Sequence, residues 1–209
     1  MTVQRPAAVG IADHNGWALM VCVALDTGVP AILAQRRVEL IDDGLPPQPY
    51  HHETLNMPPA KAEALVRRVK ASAHKHAHAA LVALRDAIAP RHRLALLAIR
   101  EPPFAELPDS VAAVHAWRPM LFAADGMLYH GAITSAAKEL GIAVSLYVRG
   151  NEMTDADAAC GRPAGWADSI MHDVVRDAAS PWTKEHRNAA AAALAALRRS
   201  PRYGADGAP

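Results

Sequence analysis

Residues 8–25 read AVGIADHNGWALMVCVAL, and the reading of this stretch decides the fold. Two short runs rich in Val, Ile and Leu, Ala8 to Ala12 and Trp17 to Leu25, flank the polar turn Asp13-His14-Asn15-Gly16. A connection this short makes its two strands antiparallel neighbours. A third run, Ala31 to Ile41, follows the turn Asp26-Thr27-Gly28-Val29-Pro30. It becomes amphipathic at Gln35-Arg36-Arg37-Val38-Glu39, as expected of a strand with one face or edge in water.

Downstream the period changes. Leu45 to Pro59 is a Pro-rich loop, and Pro58-Pro59 is a good place for a helix to begin. From Ala60 to Ile88 the residues Leu65, Val69, Ala73, Ala77, Ala80, Leu81, Leu84 and Ile88 recur at helical spacing, with Arg67, Lys70, His74, His78 and Arg85 on the other side. Leu94 to Arg100 is a continuous apolar run of the kind a strand covered on both faces shows, and Pro102-Pro103 ends it. Asp109 opens a helical stretch expected to break near Pro119, before a clearer helix from Gly126 to Leu140 stopped by Gly141. Ile142 to Val148 is a fifth strand. A polar region follows, with a helix expected around Ala167 to Arg176. Ser180 reads as an N-cap with Pro181 at the first helical position of an Ala-rich helix that runs through Arg199. Residues 1–200 are expected to form one domain and 201–209 a flexible tail.

Composition narrows the function classes. The 209 residues are 51% hydrophobic and 21% charged with a formal charge of +1, an ordinary globular balance. No apolar run reaches the length of a membrane span, the first residues lead straight into a strand with no secretory core, and Cys22 and Cys160 have no metal or redox spacing. A cytoplasmic protein with no membrane partner is expected. No phosphate-binding Gly-rich loop, dinucleotide fingerprint or nucleophile elbow is present. Charge is uneven, however: from Lys61 to Arg100, nine Lys and Arg residues face only Glu63 and Asp86. Such an excess suits phosphates.

The order β-β-β-α-β-α-β-α resembles the ribonuclease H-like superfamily. From Gly126 to Leu197 the chain is similar to its Holliday-junction resolvase branch, through Ala136-Ala137-Lys138-Glu139-Leu140-Gly141-Ile142-Ala143-Val144, Gly161-Arg162-Pro163-Ala164 and Glu185-His186-Arg187-Asn188-Ala189-Ala190-Ala191. The resemblance implies an α/β fold with a mixed five-stranded sheet and helices on both faces. It also implies a nuclease acting on structured nucleic acid with Mg²⁺ or Mn²⁺, and it leaves room for a homodimer. Carried over to this sequence, the ligands are Asp13, Glu101, Glu185 and Asn188, with His14 or His186 as proton carriers. Mg²⁺ prefers an octahedral oxygen shell, and two such ions clamp the attacking and leaving oxygens of a phosphodiester. Two departures stand against catalysis. The family's first Asp follows Gly-Ile directly, where this chain has Ala12, and a one-residue shift in a strand turns a side chain to the other face. Asn188 also stands where a second carboxylate is expected. The alternative is a non-catalytic interaction or assembly module of the same fold.

Plainer readings accompany each candidate. Asp13 is also an ordinary turn residue, Glu101 a solvated strand end, and Glu185 a favourable partner for a helix N-terminus. His74, His76 and His78 lack a third ligand at zinc spacing and read as a solvated basic face, and His51-His52-Glu53 reads as loop surface. The stripe Arg67, Lys70, His74, His78 and Arg85 is the candidate nucleic-acid surface. The four Trp residues read as core or cap residues.

Overall fold

The computed structural model describes residues 4–26, 28–173 and 182–201. Its sheet begins with β1 (Arg5–Asp13), β2 (Trp17–Asp26) and β3 (Val29–Glu39), each antiparallel to the one before. Gly16 makes the first reversal possible: its φ of 87° lies in the left-handed region, and its carbonyl accepts from Leu40 N–H. Thr27, in the second turn, lies outside the described residues.

The chain then crosses over through α1 (Pro59–Ile88) to β4 (His92–Arg100), and through α2 (Val111–Ala116) and α3 (Arg118–Glu139) to β5 (Ala143–Tyr147). Both strands run parallel to β1, and the sheet order is β3-β2-β1-β4-β5. Long helical connections are what parallel neighbours require. The sheet directions and order are those of a ribonuclease H-like α/β fold. Among the described residues three further helices follow: α4 (Glu152–Ala159), α5 (Trp166–Asp173) and α6 (Lys184–Arg199).

Strand alternation sorts the core into two layers. Val9, Ile11, Met20, Leu97 and Ile99 pack with Val69, Ala73, Leu81 and Leu84 of α1 and Leu128 and Ile133 of α3. On the opposite face Ala8, Leu19, Val21, Val23 and Ala95 pack with Ala189, Ala190, Ala193, Leu194 and Leu197 of α6, and α4 and α5 lie beyond it. Helices thus cover both faces, and no helix among the described residues is long and apolar enough to cross a membrane.

The structure corrects four local expectations. The break expected near Pro119 falls at Trp117, between α2 and α3, but the helix expected from Gly126 already begins at Arg118, with Pro119 in its first turn, where its missing N–H has no intrahelical acceptor to lose. Ser110, not Asp109, opens α2, its side chain accepting from Ala113 N–H at 3.2 Å. The Ala-rich helix starts at Lys184 after Thr183, whose N–H donates to His186 Nδ1 at 3.2 Å. Ser180 and Pro181 themselves lie outside the described residues, as do 174–176 of the expected preceding helix and 202–209 of the tail. Finally, α4 and a π-helical turn at Pro49–Glu53 had no periodic signal.

Candidate functional site

Parallel strands leave a crevice beyond their carboxyl ends, where ligands of open α/β sheets bind. Here a pocket of about 290 Å³ opens there, between the ends of β1, β4 and β5 and the first turns of α6. Gly10 brings α6 this close: a Cβ on it would overlap the carbonyl of Ala189, so only glycine lets the helix backbone rest on β1. That contact carries Glu185 and Asn188 to the pocket wall.

Asp13 is the last residue of β1 and its side chain is only 1% exposed. Alternation places it on the face of Val9 and Ile11, whereas Ala12 packs on the α6 side. Its partner is Arg100, whose Nε donates to Oδ1 at 2.7 Å and whose Nη2 donates to Oδ2 at 3.0 Å. This forked geometry is the strong form of a guanidinium–carboxylate pair. The hydrogen bonds from Arg100 to Asp13 raise the guanidinium pKa further above its ordinary value, although partial burial opposes the shift. His130 Nε2, 3.0 Å from the Arg100 carbonyl, fixes the strand end from α3; burial lowers its pKa.

Around this pair the remaining polar groups have partners of their own. His14 Nε2 lies 3.1 Å from Glu185 Oε1, and the His14 ring stacks on Trp17 at 3.8 Å between centroids, 4° from parallel. Arg37 lies 3.8 Å over the same indole. Tyr147 donates its hydroxyl to the Ile11 carbonyl at 3.1 Å, and burial raises its pKa. Glu152, at the start of α4 and 5% exposed, accepts from Gly150 N–H at 3.0 Å.

Of the residues singled out from the sequence, the pocket therefore gathers Asp13, His14, Glu185 and Asn188. Glu101 is exposed and does not line it; its N–H donates to the Tyr147 carbonyl at 2.8 Å, and the residue before it reaches inward instead. His186 also lies outside the lining, engaged with Thr183 at the start of α6, and burial lowers its pKa. Arg100, Tyr147, Arg149 and Glu152 join the pocket without having been expected there. The neighbouring position Glu101 carried the only sequence signal for Arg100, whereas nothing short-range marks Glu152.

A divalent metal does not fit this arrangement. Hard cations need several free oxygen ligands around one point, but both Asp13 oxygens are held by a guanidinium. No three His, Cys, Asp or Glu side chains among the described residues converge to hold an ion.

The stripe on α1 is partly spent on internal pairs. Arg67, Lys70 and Arg85 are exposed, while His74 Nε2 lies 3.0 Å from Glu139 Oε1 at the end of α3. His78 is half-buried, its ring 6.4 Å from that of His74. His76 turns instead to Asp42, 2.9 Å away, where Lys75 Nζ (2.7 Å) and Ser72 Oγ (2.8 Å) also donate. The hydrogen bond from Lys75, then those from His76 and Ser72, hold the Asp42 carboxyl well below the usual carboxylate range. His74 and His76 thus serve separate partners. His51 and His52 lie in the π-helical turn, and the His51 ring packs edge-on against Phe122.

The fold and the pocket define the class: an α/β protein with the sheet order and directions of the ribonuclease H-like fold, whose central acidic residue is ion-paired. No protein-family model matches the sequence, and no curated protein matches it. Among solved structures, the chain is similar to Thermus thermophilus RuvC, with 16% identity, a TM-score of 0.49, and coverage of 90% of this chain and 92% of that one. It is likewise similar to T. thermophilus RuvC in complex with a Holliday junction substrate, with 14% identity, a TM-score of 0.47, and coverage of 91% and 92%.

Proposed function

We propose that this chain is a non-catalytic ribonuclease H-like module that binds nucleic acid through surface charge and does not hydrolyse it. The observation that carries the reading is the Asp13–Arg100 pair: the carboxylate expected to hold a metal is committed to a side chain, and Glu101 stands outside the pocket. Asn188 adds an amide where a charge would be needed. The binding half of the proposal rests on Arg67, Lys70 and Arg85, exposed along one long helix. No cofactor is required for this role. A cytoplasmic setting, consistent with two unpaired cysteines, belongs to the same proposal, as does a homodimer.

The competing reading is a Mg²⁺- or Mn²⁺-dependent nuclease for structured nucleic acid, with Asp13, Glu101, Glu185 and Asn188 as ligands and His14 or His186 as proton carrier. One experiment separates the two. Purified protein is incubated with an end-labelled four-way junction and a linear duplex, with millimolar Mg²⁺ or Mn²⁺, and binding is titrated in parallel at low salt. Salt-sensitive binding without strand cleavage is the expected result. Metal-dependent cleavage that disappears in Glu185→Gln would overturn the proposal in favour of the nuclease.

A further inference from the structure

The pocket raises a question that the non-catalytic reading leaves open: what balances its negative charge. Three carboxylates line it, and each is bound by the chain itself: Asp13 by Arg100, Glu185 by His14, and Glu152 by the Gly150 N–H. Asp13 is the least able to rely on water, with a side chain 1% exposed against 49% for Glu185. A buried carboxylate without a partner is strongly unfavourable, and it stays ionised only where an ion or a side chain meets its charge. Resting on the proposed non-catalytic reading, we propose that the Arg100 guanidinium is a resident counter-ion, standing where a divalent cation would otherwise be needed to hold the carboxyl end of the sheet together.

The chemistry suits the substitution. A guanidinium keeps its charge at any pH a protein meets, and its planar fork matches both carboxylate oxygens at once. The observed contacts of 2.7 and 3.0 Å use both. Unlike an ion, it cannot dissociate, so the site's charge balance does not vary with metal concentration. Arg100 is held from the other direction too, since its carbonyl meets His130 of α3. The pair therefore ties β1 to β4 at the point where the sheet opens, independently of metal concentration.

The test compares wild type with R100Q, R100K and the double variant D13N/R100Q. Thermal unfolding is followed in EDTA and in millimolar Mn²⁺, and bound Mn²⁺ is counted by electron paramagnetic resonance. Wild type is expected to unfold at the same temperature in both solutions and to bind no Mn²⁺. R100Q, left with an unmatched buried carboxylate, is expected to lose roughly 10 °C in EDTA. Millimolar Mn²⁺ should restore part of that loss by binding the folded state. D13N/R100Q removes both charges and should recover stability without Mn²⁺. Should R100Q fail to fold in EDTA, R100K, which keeps the charge but not the fork, should fold and remain insensitive to Mn²⁺. Wild type stabilised by Mn²⁺, R100Q unresponsive to it, or R100K as responsive as R100Q would each overturn the inference. A Mn²⁺-indifferent R100Q would leave the non-catalytic reading standing, whereas cleavage by wild type would remove that reading first.

Discussion

Gly10 and Asp125 show how single residues hold the two faces of this fold. Gly10 has no side chain because the Ala189 carbonyl occupies the space where one would begin. Gly10→Ala must push α6 off β1, and should destabilise the protein by about 3 kcal/mol, read as a lower urea midpoint at unchanged slope. Asp125 of α3 is 3% exposed and accepts from Tyr50 N–H at 2.9 Å and His51 N–H at 3.1 Å, pinning the Pro-rich loop. Its pKa is raised above 3.8 because burial outweighs those hydrogen bonds. With a folded-state value above the unfolded one, its favourable contribution is complete below the unfolded pKa and is lost as pH rises through the folded value. The advantage of wild type over Asp125→Asn should therefore narrow as pH rises from about 4, which urea titrations at successive pH values would show. A difference that widened over that window would refute the assignment. Neither role was legible beforehand: Gly10 in a strand and Asp125 in a helix look like ordinary residues until α6 and the loop are placed beside them.

At the scale of elements, α6 and α1 illustrate opposite uses of a helix. Every residue from Ala189 to Leu197 is buried, because the sheet covers one side of α6 and α4 and α5 the other. Small side chains allow that close double packing. Ala193→Leu adds volume where there is none and should destabilise by about 2 kcal/mol in the same denaturation assay. By contrast, α1 buries one stripe and leaves Arg67, Lys70 and Arg85 in solvent. If these engage phosphates, the double charge reversal R67E/K70E should weaken binding at least about tenfold for all sequences alike and reduce the salt slope by about 2. Unchanged binding would return the stripe to the solvated face it otherwise is. The apolar period of α1 was visible in the sequence because 3.6-residue spacing is a local property. The start of α6 was misread because Ser180-Pro181 is also a sound local start signal, and local chemistry does not choose between two acceptable caps three residues apart.

For the whole molecule, the sheet order makes β1, β2 and β4 interior and β3 and β5 edges. Amide hydrogen exchange should follow that order, with the slowest exchange in Val9, Val21 and Leu97 and much faster exchange along β5, whose outer edge has no partner strand among the described residues. Equal protection across the sheet would contradict the topology. The sequence alone determined the strand directions, since short polar turns compel antiparallel neighbours and long helical connections compel parallel crossovers, whereas the full order, with β1 and not β4 at the centre, came from the tertiary structure. Counting along the strand also put Asp13 on the face opposite Ala12 unless the strand had already ended, and the structure continues β1 through Asp13. Only the tertiary structure decided what Asp13 does. Its partner lies 87 residues away at the end of another strand, and whether Arg100 or Glu101 reaches inward depends on how β4 ends against β5 and α3. Pattern and turn chemistry act between near neighbours, whereas the balance of a buried charge is settled by whichever group the finished fold brings within about 3 Å of it.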